Sequence, residues 1–577
     1  MRLTKHVTAL ALFFVILATL ALHRPAFPQA FTANLTGVVT DPQNAVMPNV
    51  VVKLKNTATQ ETRQATAGNE GRYTFSQLLP SVYELTAEAP GFRAFIQRDI
   101  RLLANQSAEL NIQMSLGEVT QAVEITESAP LLDSQTANES VTLDKNAISN
   151  LPINAPNPFV LVHATAGVVA VRTGISTATQ DQNHNRFALN GGRDESALIL
   201  LDGVPATTGD WSALIIAPAV NSVQEFQVVR NSYEAQFGKS GGGVVSLVTK
   251  GGSNDFHGLA FDALRNGVLD ANSWDRNRNG QPKSIVQRNV FGGNLSGPLW
   301  KSKKLFFFGG YEGMRLRTPG SNTSTVPTLL ERDGDFSQTR NADESRSLSL
   351  IYNPFTTRSN PSGPGFLRDP FDNNRIPQSL FDPIATRVVA LYPRPNAAGD
   401  AATNARNFFG IGKTVTTNDR FDARVDWAHS ERHQFYVRVS KAWQKNVAPV
   451  FFGSGADSNF SDQNPRHHVA IGNTFIPNPT WVINVLVGSG RWREEQDSPS
   501  KGLDGTRIGF PASLVSQFTA QTIPQFNVDA YSTLGNSRFL NFPRETHNLQ
   551  ANVTKERSAH SIRFGFAAEA AKLNDID

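Results

Sequence analysis

A chain of 577 residues is long enough for several domains, and without a single cysteine it can use neither disulfides nor thiolate metal sites to hold them together. Its 54 basic and 50 acidic residues leave a net charge of +4, and charged residues make up only 18%, which supplies no concentrated basic surface for nucleic acid. Phenylalanine (37) and glycine (43) are frequent while methionine (4) is scarce, the balance of turn-punctuated strands rather than of packed helices.

The chain opens on a secretory pattern. Arg2 and Lys5 form a positive n-region, Ala9 to Leu22 is apolar apart from Thr19, and Pro28-Gln29-Ala30 offers a small residue for cleavage. Residues 1–30 are therefore expected to be a signal peptide; as an uncleaved anchor, about 14 apolar residues are short for a spanning helix. No later apolar stretch approaches that length, so entry into a membrane would have to be as a closed β-barrel, which alone satisfies strand backbone groups in hydrocarbon.

From Phe31 to Gly117, strand-like runs alternate with turn clusters. Val50, Val52 and Leu54 fall on one face and Val51, Lys53 and Lys55 on the other, with breaks at Asp41-Pro42 and Ala89-Pro90-Gly91. This predicts a small antiparallel sandwich. The segments TGVVTDPQNAVMPNVVVKLKN (Thr36 to Asn56) and GRYTFSQLLPSVYELTAEAPGF (Gly71 to Phe92) resemble the carboxypeptidase-regulatory-like domain, a transthyretin-like module, and that name confers no peptidase activity. Tyr73, Phe75, Tyr83 and Phe92 could stack on sugars, which would make the sandwich a carbohydrate-binding module, or could form its core, which burial preference favours.

Residues 118–252 mix short strands with Gly and Asn turns and a helix expected around Asp144 to Ile148. Ala197 to Leu201 is a buried-strand run ended by the turn signal Asp202-Gly203, and Gly241 to Gly243 would let backbone pass close to its neighbours before a strand resumes at Val244. The stretches LNGGRDESALILLDGVP (Leu189 to Pro205) and VQEFQVVRNSYEAQFGKSGGGVVSLVTKGG (Val223 to Gly252) resemble the plug of TonB-dependent outer-membrane receptors. That resemblance makes Asn190, Gly191, Gly192, Arg193, Leu201, Asp202 and Gly203 the plug motif.

Past residue 253 the strands lengthen and the period becomes two. Phe421, Ala423, Val425 and Trp427 interleave with Asp422, Arg424 and Asp426; Phe435, Val437 and Val439 interleave with Arg438 and Ser440. Similar pairs follow from Val469 to Val487 and from Leu549 to Phe566. One face is apolar and the other ionic, as in a barrel wall between lipid and an aqueous lumen. Short turns (Pro298 to Lys304, His429 to Arg432, Pro477 to Pro479, Lys555 to Ala559) alternate with long Pro-, Asn-, Asp- and Gly-rich loops (Arg317 to Val415, Asn446 to Pro465, Glu494 to Glu545). Trp427 and Trp481 beside short turns, with Trp443 and Trp492 at long-loop ends, are expected as girdles at the two water interfaces; as ordinary core tryptophans they would be buried. About nine such strands can be counted, whereas plugged transporters close with 22, so the barrel is expected to be incomplete.

Enzyme motifs almost occur and fail on context. Gly238-Lys239-Ser240 and Gly412-Lys413-Thr414 lack the leading glycine of a phosphate loop, with Tyr233 and Asn407 in its place. Ser240 fits a G-x-S-x-G pattern, but a strand-like run follows where a nucleophile elbow needs a helix. Asp275 to Gly280 starts like a calcium loop whose twelfth position is Val286, not a carboxylate. No HExxH is present, and His467 and His468 should point to opposite faces of one strand.

The expected fold is mainly β: a transthyretin-like β-sandwich (31–117), an α+β plug domain (118–252) and an incomplete antiparallel transmembrane β-barrel (253–577). What the resemblance implies is a cell outer-membrane receptor, with the sandwich in the periplasm, that binds an extracellular ligand and takes part in its energised uptake. Partners would be the TonB energy-transducing complex, an unidentified ligand such as a glycan or peptide, and outer-membrane lipid, with no nucleic acid, cofactor, metal or catalytic residue. Val123, Glu124, Ile125 and Thr126 are the candidate strand for pairing with TonB, since strand addition carries force through main-chain bonds; an extended linker is the alternative. A surface adhesion or protein-export component would use the same architecture.

Overall fold

A computed structural model of the chain describes residues 32–574, apart from 118–121, 126–138, 152–156, 171–186 and isolated positions. The expected signal peptide and Thr126 lie outside the described residues.

The first unit comprises β1 (Ala33–Thr40), β2 (Val51–Asn56), β3 (Thr62–Thr66), β4 (Arg72–Leu78), β5 (Ser81–Glu88), β6 (Ala94–Leu102), β7 (Ser107–Glu109) and β8 (Ile112–Gln113). One sheet runs β4-β1-β7 with β8 also on β1, and the other runs β3-β2-β5-β6. The alternation read from the sequence sets the packing: Val50, Val52 and Leu54 are buried between the sheets, and Val51, Lys53 and Lys55 are half-buried outside. Tyr73, Phe75 and Tyr83 lie in the same core with Phe92 packed against it, so these rings present no face for a sugar. A ninth strand, β9 (Ala122–Ile125), extends the second sheet in parallel on β6, with Phe95 opposite Val123 and Ile96 opposite Glu124.

The middle unit contains β10 (Glu139–Asp144), α1 (Lys145–Asn150), β11 (Val168–Ala170), β12 (Phe187–Leu189), β13 (Leu198–Leu201), β14 (Val204–Pro205), β15 (Val223–Asn231) and β16 (Val244–Thr249). Its sheet is ordered β10-β15-β16-β13-β14. The expected helix starts where the Asp144 side chain accepts the backbone N–H groups of Asn146 and Ala147, an N-cap. At Gly243 φ is +133°, and a Cβ there would lie 2.6 Å from the Val229 carbonyl oxygen, so only glycine lets β16 start this close to β15.

The third unit is one nine-stranded antiparallel sheet. Its strands are β17 (His257–Asn266), β18 (Gln287–Trp300), β19 (Leu305–Ser324), β22 (Phe408–Ser430), β23 (His433–Val447), β24 (Ser461–Asn478), β25 (Trp481–Asp497), β26 (Leu540–Arg557) and β27 (His560–Leu573), each paired with the next; β20 (Arg358–Ser359) and β21 (Phe366–Leu367) form a small hairpin in the longest loop. Among the described residues β17 and β27 do not pair, so the wall is open. The strands end and restart where the four short turns were expected, but β19 and β22 stay paired out to Ser324 and Phe408, well into the segment read as loop. Beyond the apolar band the strands no longer separate lipid from a plugged interior, and Phe408 packs into the loop cluster instead, so the period-two signal vanishes while the backbone ladder continues.

Phe421, Val425, Trp427, Phe435, Val437, Val439, Ile471 and Leu549 are all exposed on the outer side, a continuous apolar belt far beyond what a soluble surface carries. Trp443 also faces out, but Trp492 does not: it is fully buried on the inner side, between the guanidinium groups of Arg466 and Arg544, 4.8 and 4.7 Å from the ring centroid. The expectation that Trp492 belongs to an outer girdle is corrected. It stands an odd number of residues after outward Trp481, and side-chain alternation turns it inward. The long loops are packed rather than loose, with Val326 and Tyr392, Phe452, and Ile523 and Leu534 from three of them sharing one apolar cluster.

Candidate functional site

The inner face of the sheet is ionic, as read, but it is not an open aqueous lining. Arg420, Asp422, Arg424, Arg438 and His468 are all buried against the middle unit. Isolated charges so placed would be costly, and the geometry shows how each is compensated.

Asp202 is the hub. Leu201 and Val204 pair across Asp202-Gly203, whose φ values of +50° and +78° are those a two-residue type I′ hairpin requires. That turn presents the Asp202 carboxylate, with 0% exposure, to both its own unit and the wall. It accepts the Thr249 backbone N–H at 2.8 Å and its hydroxyl at 2.7 Å. Arg424 Nη1 donates to it at 3.2 Å, and Arg438 Nε forms an ion pair with it at 2.8 Å. Tyr436 from β23 donates its hydroxyl to the Asp202 carbonyl oxygen at 2.7 Å. Arg424 also binds Asp426, and its guanidinium lies 4.8 Å from the Tyr436 ring centroid. His468 completes the set, with Nδ1 2.6 Å from Arg438 Nη2 and Nε2 3.0 Å from the Pro205 carbonyl oxygen. A proton on Nε2 lets the imidazole donate to Pro205 and accept from Arg438. His467, its neighbour, faces outward, so the two histidines cannot share a metal.

Further contacts tie the rest of the unit to the wall. Arg420 pairs with Glu312 and donates to the Pro218 carbonyl at 3.2 Å, while Asp422 accepts the Ala219 N–H at 3.1 Å and the Ser440 hydroxyl at 2.6 Å. Arg466 donates to the Leu214 and Ile215 carbonyls, Arg544 pairs with Asp210 at 2.8 Å, and Arg563 pairs with Glu234 at 2.8 Å. Between these polar clamps β25 offers a seat without side chains: a Cβ on Gly488 would lie 2.0 Å from Val204 Cγ1, and one on Gly490 2.7 Å from Ile215 Cδ1.

The motif residues do not converge on one point. Leu201, Asp202 and Gly203 reach the wall, whereas Asn190 (φ +47°) and Gly191 (φ +78°) form an exposed turn closed by Gly192 N–H to the Leu189 carbonyl at 2.8 Å, with Arg193 exposed beside it. Ser240 is a turn residue, its hydroxyl bonded to the Gly243 backbone. Asp275 to Arg278 lie in a short helix, not a calcium loop.

The sandwich meets both other units at the short-turn end. Ala104 N–H donates to Glu225 Oε2 at 2.8 Å, Gln227 Nε2 to the Ala104 carbonyl at 3.0 Å, and Asn105 Nδ2 to Gln227 Oε1 at 2.7 Å. Burial pushes the Glu225 carboxyl up to about 7, against the lowering effect of the Ala104 N–H. Toward the wall, Asn484 donates to Gln77 at 2.8 Å and Ser76 to Glu556 at 2.9 Å. No local pattern signals these contacts, because they join residues more than a hundred positions apart.

An apolar outer belt, an inner unit clamped by arginines and a wall of consecutive antiparallel strands define an outer-membrane β-barrel. An outer membrane beta barrel domain matches residues 248–577, more than half of the chain, and a carboxypeptidase regulatory-like domain matches residues 34–115. The chain belongs to the outer-membrane β-barrel family and carries a carboxypeptidase regulatory-like domain ahead of the barrel. It is 27% identical over 305 residues to the TonB-dependent transporter Oar of Myxococcus xanthus, covering 52% of this chain and 28% of that protein. It is 33% identical over 110 residues to the ferrienterobactin receptor of Escherichia coli (strain K12), covering 16% of this chain and 14% of the receptor. The match thus spans less than a third of either relative's length. Among solved structures, the outer membrane transporter YddB from Escherichia coli aligns over 75% of this chain and 48% of that chain, at 10% identity and a TM-score of 0.45.

Proposed function

We propose that this chain is the ligand-capturing and gating part of a TonB-dependent uptake receptor. The packed long loops face the cell exterior and bind the ligand, residues 118–252 act as the plug, and the sandwich lies in the periplasm. Residues 1–30 are removed on export. The observation that carries this reading is the Asp202 cluster: it holds the middle unit against the inner wall through buried groups that a solvent-filled pore would not need, yet every bond in it is polar and can be exchanged for water when the unit is pulled. Force would enter through Val123 to Thr126, near the start of the plug, where positions 122–125 already form a strand.

The test is co-purification of TonB's periplasmic domain with the full-length protein in detergent. Capture by the intact protein and loss on deleting residues 118–128 is the expected result. Retention after the deletion rejects the segment, and absence of capture by the intact protein rejects the receptor reading itself.

A further inference from the structure

On the outer side of the sheet one row carries charge where the next row toward the short turns has no lysine, arginine or carboxylate. Pairing places Lys441 of β23 opposite His467 of β24, His467 opposite Arg491 of β25, Arg491 opposite Glu545 of β26, and Glu545 opposite Lys572 of β27. Directly opposed residues share a face with Cβ atoms about 4.5–5.5 Å apart, so these side chains form one continuous band across five strands. The face is the outer one: Lys441 and Lys572 are exposed and the Arg491 side chain is 40% exposed, while the alternate positions Ala442 and His468 are fully buried toward the middle unit. The row below it on the short-turn side includes Val439, Val469 and Ser489.

The band borders the apolar belt and is flanked toward the long loops by Trp443, Lys445 and Arg493. Lys441 Nζ stands 4.3 Å over the Trp443 ring centroid. On β23 to β27 two carboxylates share this surface, Glu545, 3.4 Å from Arg491 Nε, and Glu495, paired with Arg493, while Asp419 opposite Trp443 on β22 is taken by Arg315. Five cations thus stand against two anions, and Lys441, Lys445 and Lys572 have no carboxylate partner among the described residues. Cations at the boundary of a hydrocarbon belt are stabilised either by snorkelling into water or by an anion at the same depth. A phosphate on a lipid headgroup is such an anion, with several oxygens that an ammonium and a guanidinium can bind together.

We propose that the outward row of Lys441, His467 and Arg491, completed by Lys572, binds the phosphate of an anionic lipid headgroup at the long-loop rim of the barrel. The inference rests on reading the sheet as a membrane wall, and the test separates the two. The probe is diphosphoryl lipid A in phosphatidylcholine nanodiscs holding the full-length protein, with bound lipid read by native mass spectrometry. Lipid A is expected to be retained over phosphatidylcholine. Making both Lys441→Gln and Arg491→Gln should weaken retention about twenty-five-fold, at about fivefold per cation near a membrane surface. Glu545→Gln should strengthen it, and Lys301→Gln with Lys303→Gln at the opposite rim should leave it unchanged. Retention unaffected by the Lys441 and Arg491 changes, an equal loss from the Lys301 and Lys303 changes, or no preference over phosphatidylcholine as pure snorkelling predicts, each overturns the site alone. Failure of the wild-type protein to enter nanodiscs overturns the membrane wall and the site with it.

Discussion

At Asp202 a left-handed turn conformation and a fully buried carboxylate coincide, and the two requirements can be separated by mutation. Asparagine tolerates the same positive φ, so Asp202→Asn keeps the hairpin and removes only the charge facing Arg424 and Arg438. Breaking a buried pair on one side costs about 3–5 kcal/mol, because the partner charge stays buried. The middle unit should therefore become protease-sensitive at lower urea than in wild type, ahead of the barrel; an unchanged midpoint would show that the cluster holds nothing. Glu225 gives a pH dependence of opposite character. Its folded pKa of about 7 lies above the ordinary value of 4.5, so the contribution is fully present below about 4.5 and is lost as pH rises through 7. The contact between Ala104 and Glu225 should loosen between pH 5 and 8, by up to about 3 kcal/mol, read as faster hydrogen exchange at the Ala104 amide after correction for intrinsic rates. Glu225→Gln should flatten that dependence.

Among the elements, β9 has the most informative position. As the edge of its sheet β9 has only its β6-facing main-chain groups engaged, so TonB can either add at the open edge or draw the strand out of the sandwich. Phe95 and Val123 are register partners at a spacing that a disulfide can bridge. Oxidation of the pair Phe95→Cys and Val123→Cys in the full-length protein should give the crosslink and pin β9 to β6, so loss of capture of TonB's periplasmic domain, restored by reduction, would show that the strand must be drawn out. Capture that persists in the crosslinked form would mean that TonB adds at the open edge of β9 or pairs with another segment. The inner unit shows a related economy of means, in which β25 uses Gly488 and Gly490 as a flat seat and leaves specificity to the arginines on either side.

For the whole molecule, the distinction between outer and inner faces is directly measurable. Trp443 lies on the outer side and Trp492 is buried inside, so brominated lipid should quench fluorescence that Trp443→Phe diminishes and Trp492→Phe leaves in place. Equal quenching of both would contradict the register of β23 to β25. Much of this architecture was legible in the residues themselves. Alternation at Phe421 to Trp427 separated the outer from the inner face and at Val50 to Leu54 named the buried one, Asp202-Gly203 marked a hairpin, and turn lengths located the ends of the wall, because strand parity and turn chemistry are local properties of a few adjacent residues. Parity alone would also have turned Trp492 inward had its position been counted from Trp481. What alternation could not supply was the occupant of the other side: that Arg424 and Arg438 meet Asp202 instead of water, that Ala104 docks on Glu225, and that β9 rests on β6. Those contacts join segments far apart in the chain, and a charged side chain facing inward looks the same in sequence whether solvent or a folded unit fills the space before it. Only the tertiary structure decides which, because the cost of burying the charge is met by partners the local sequence does not contain.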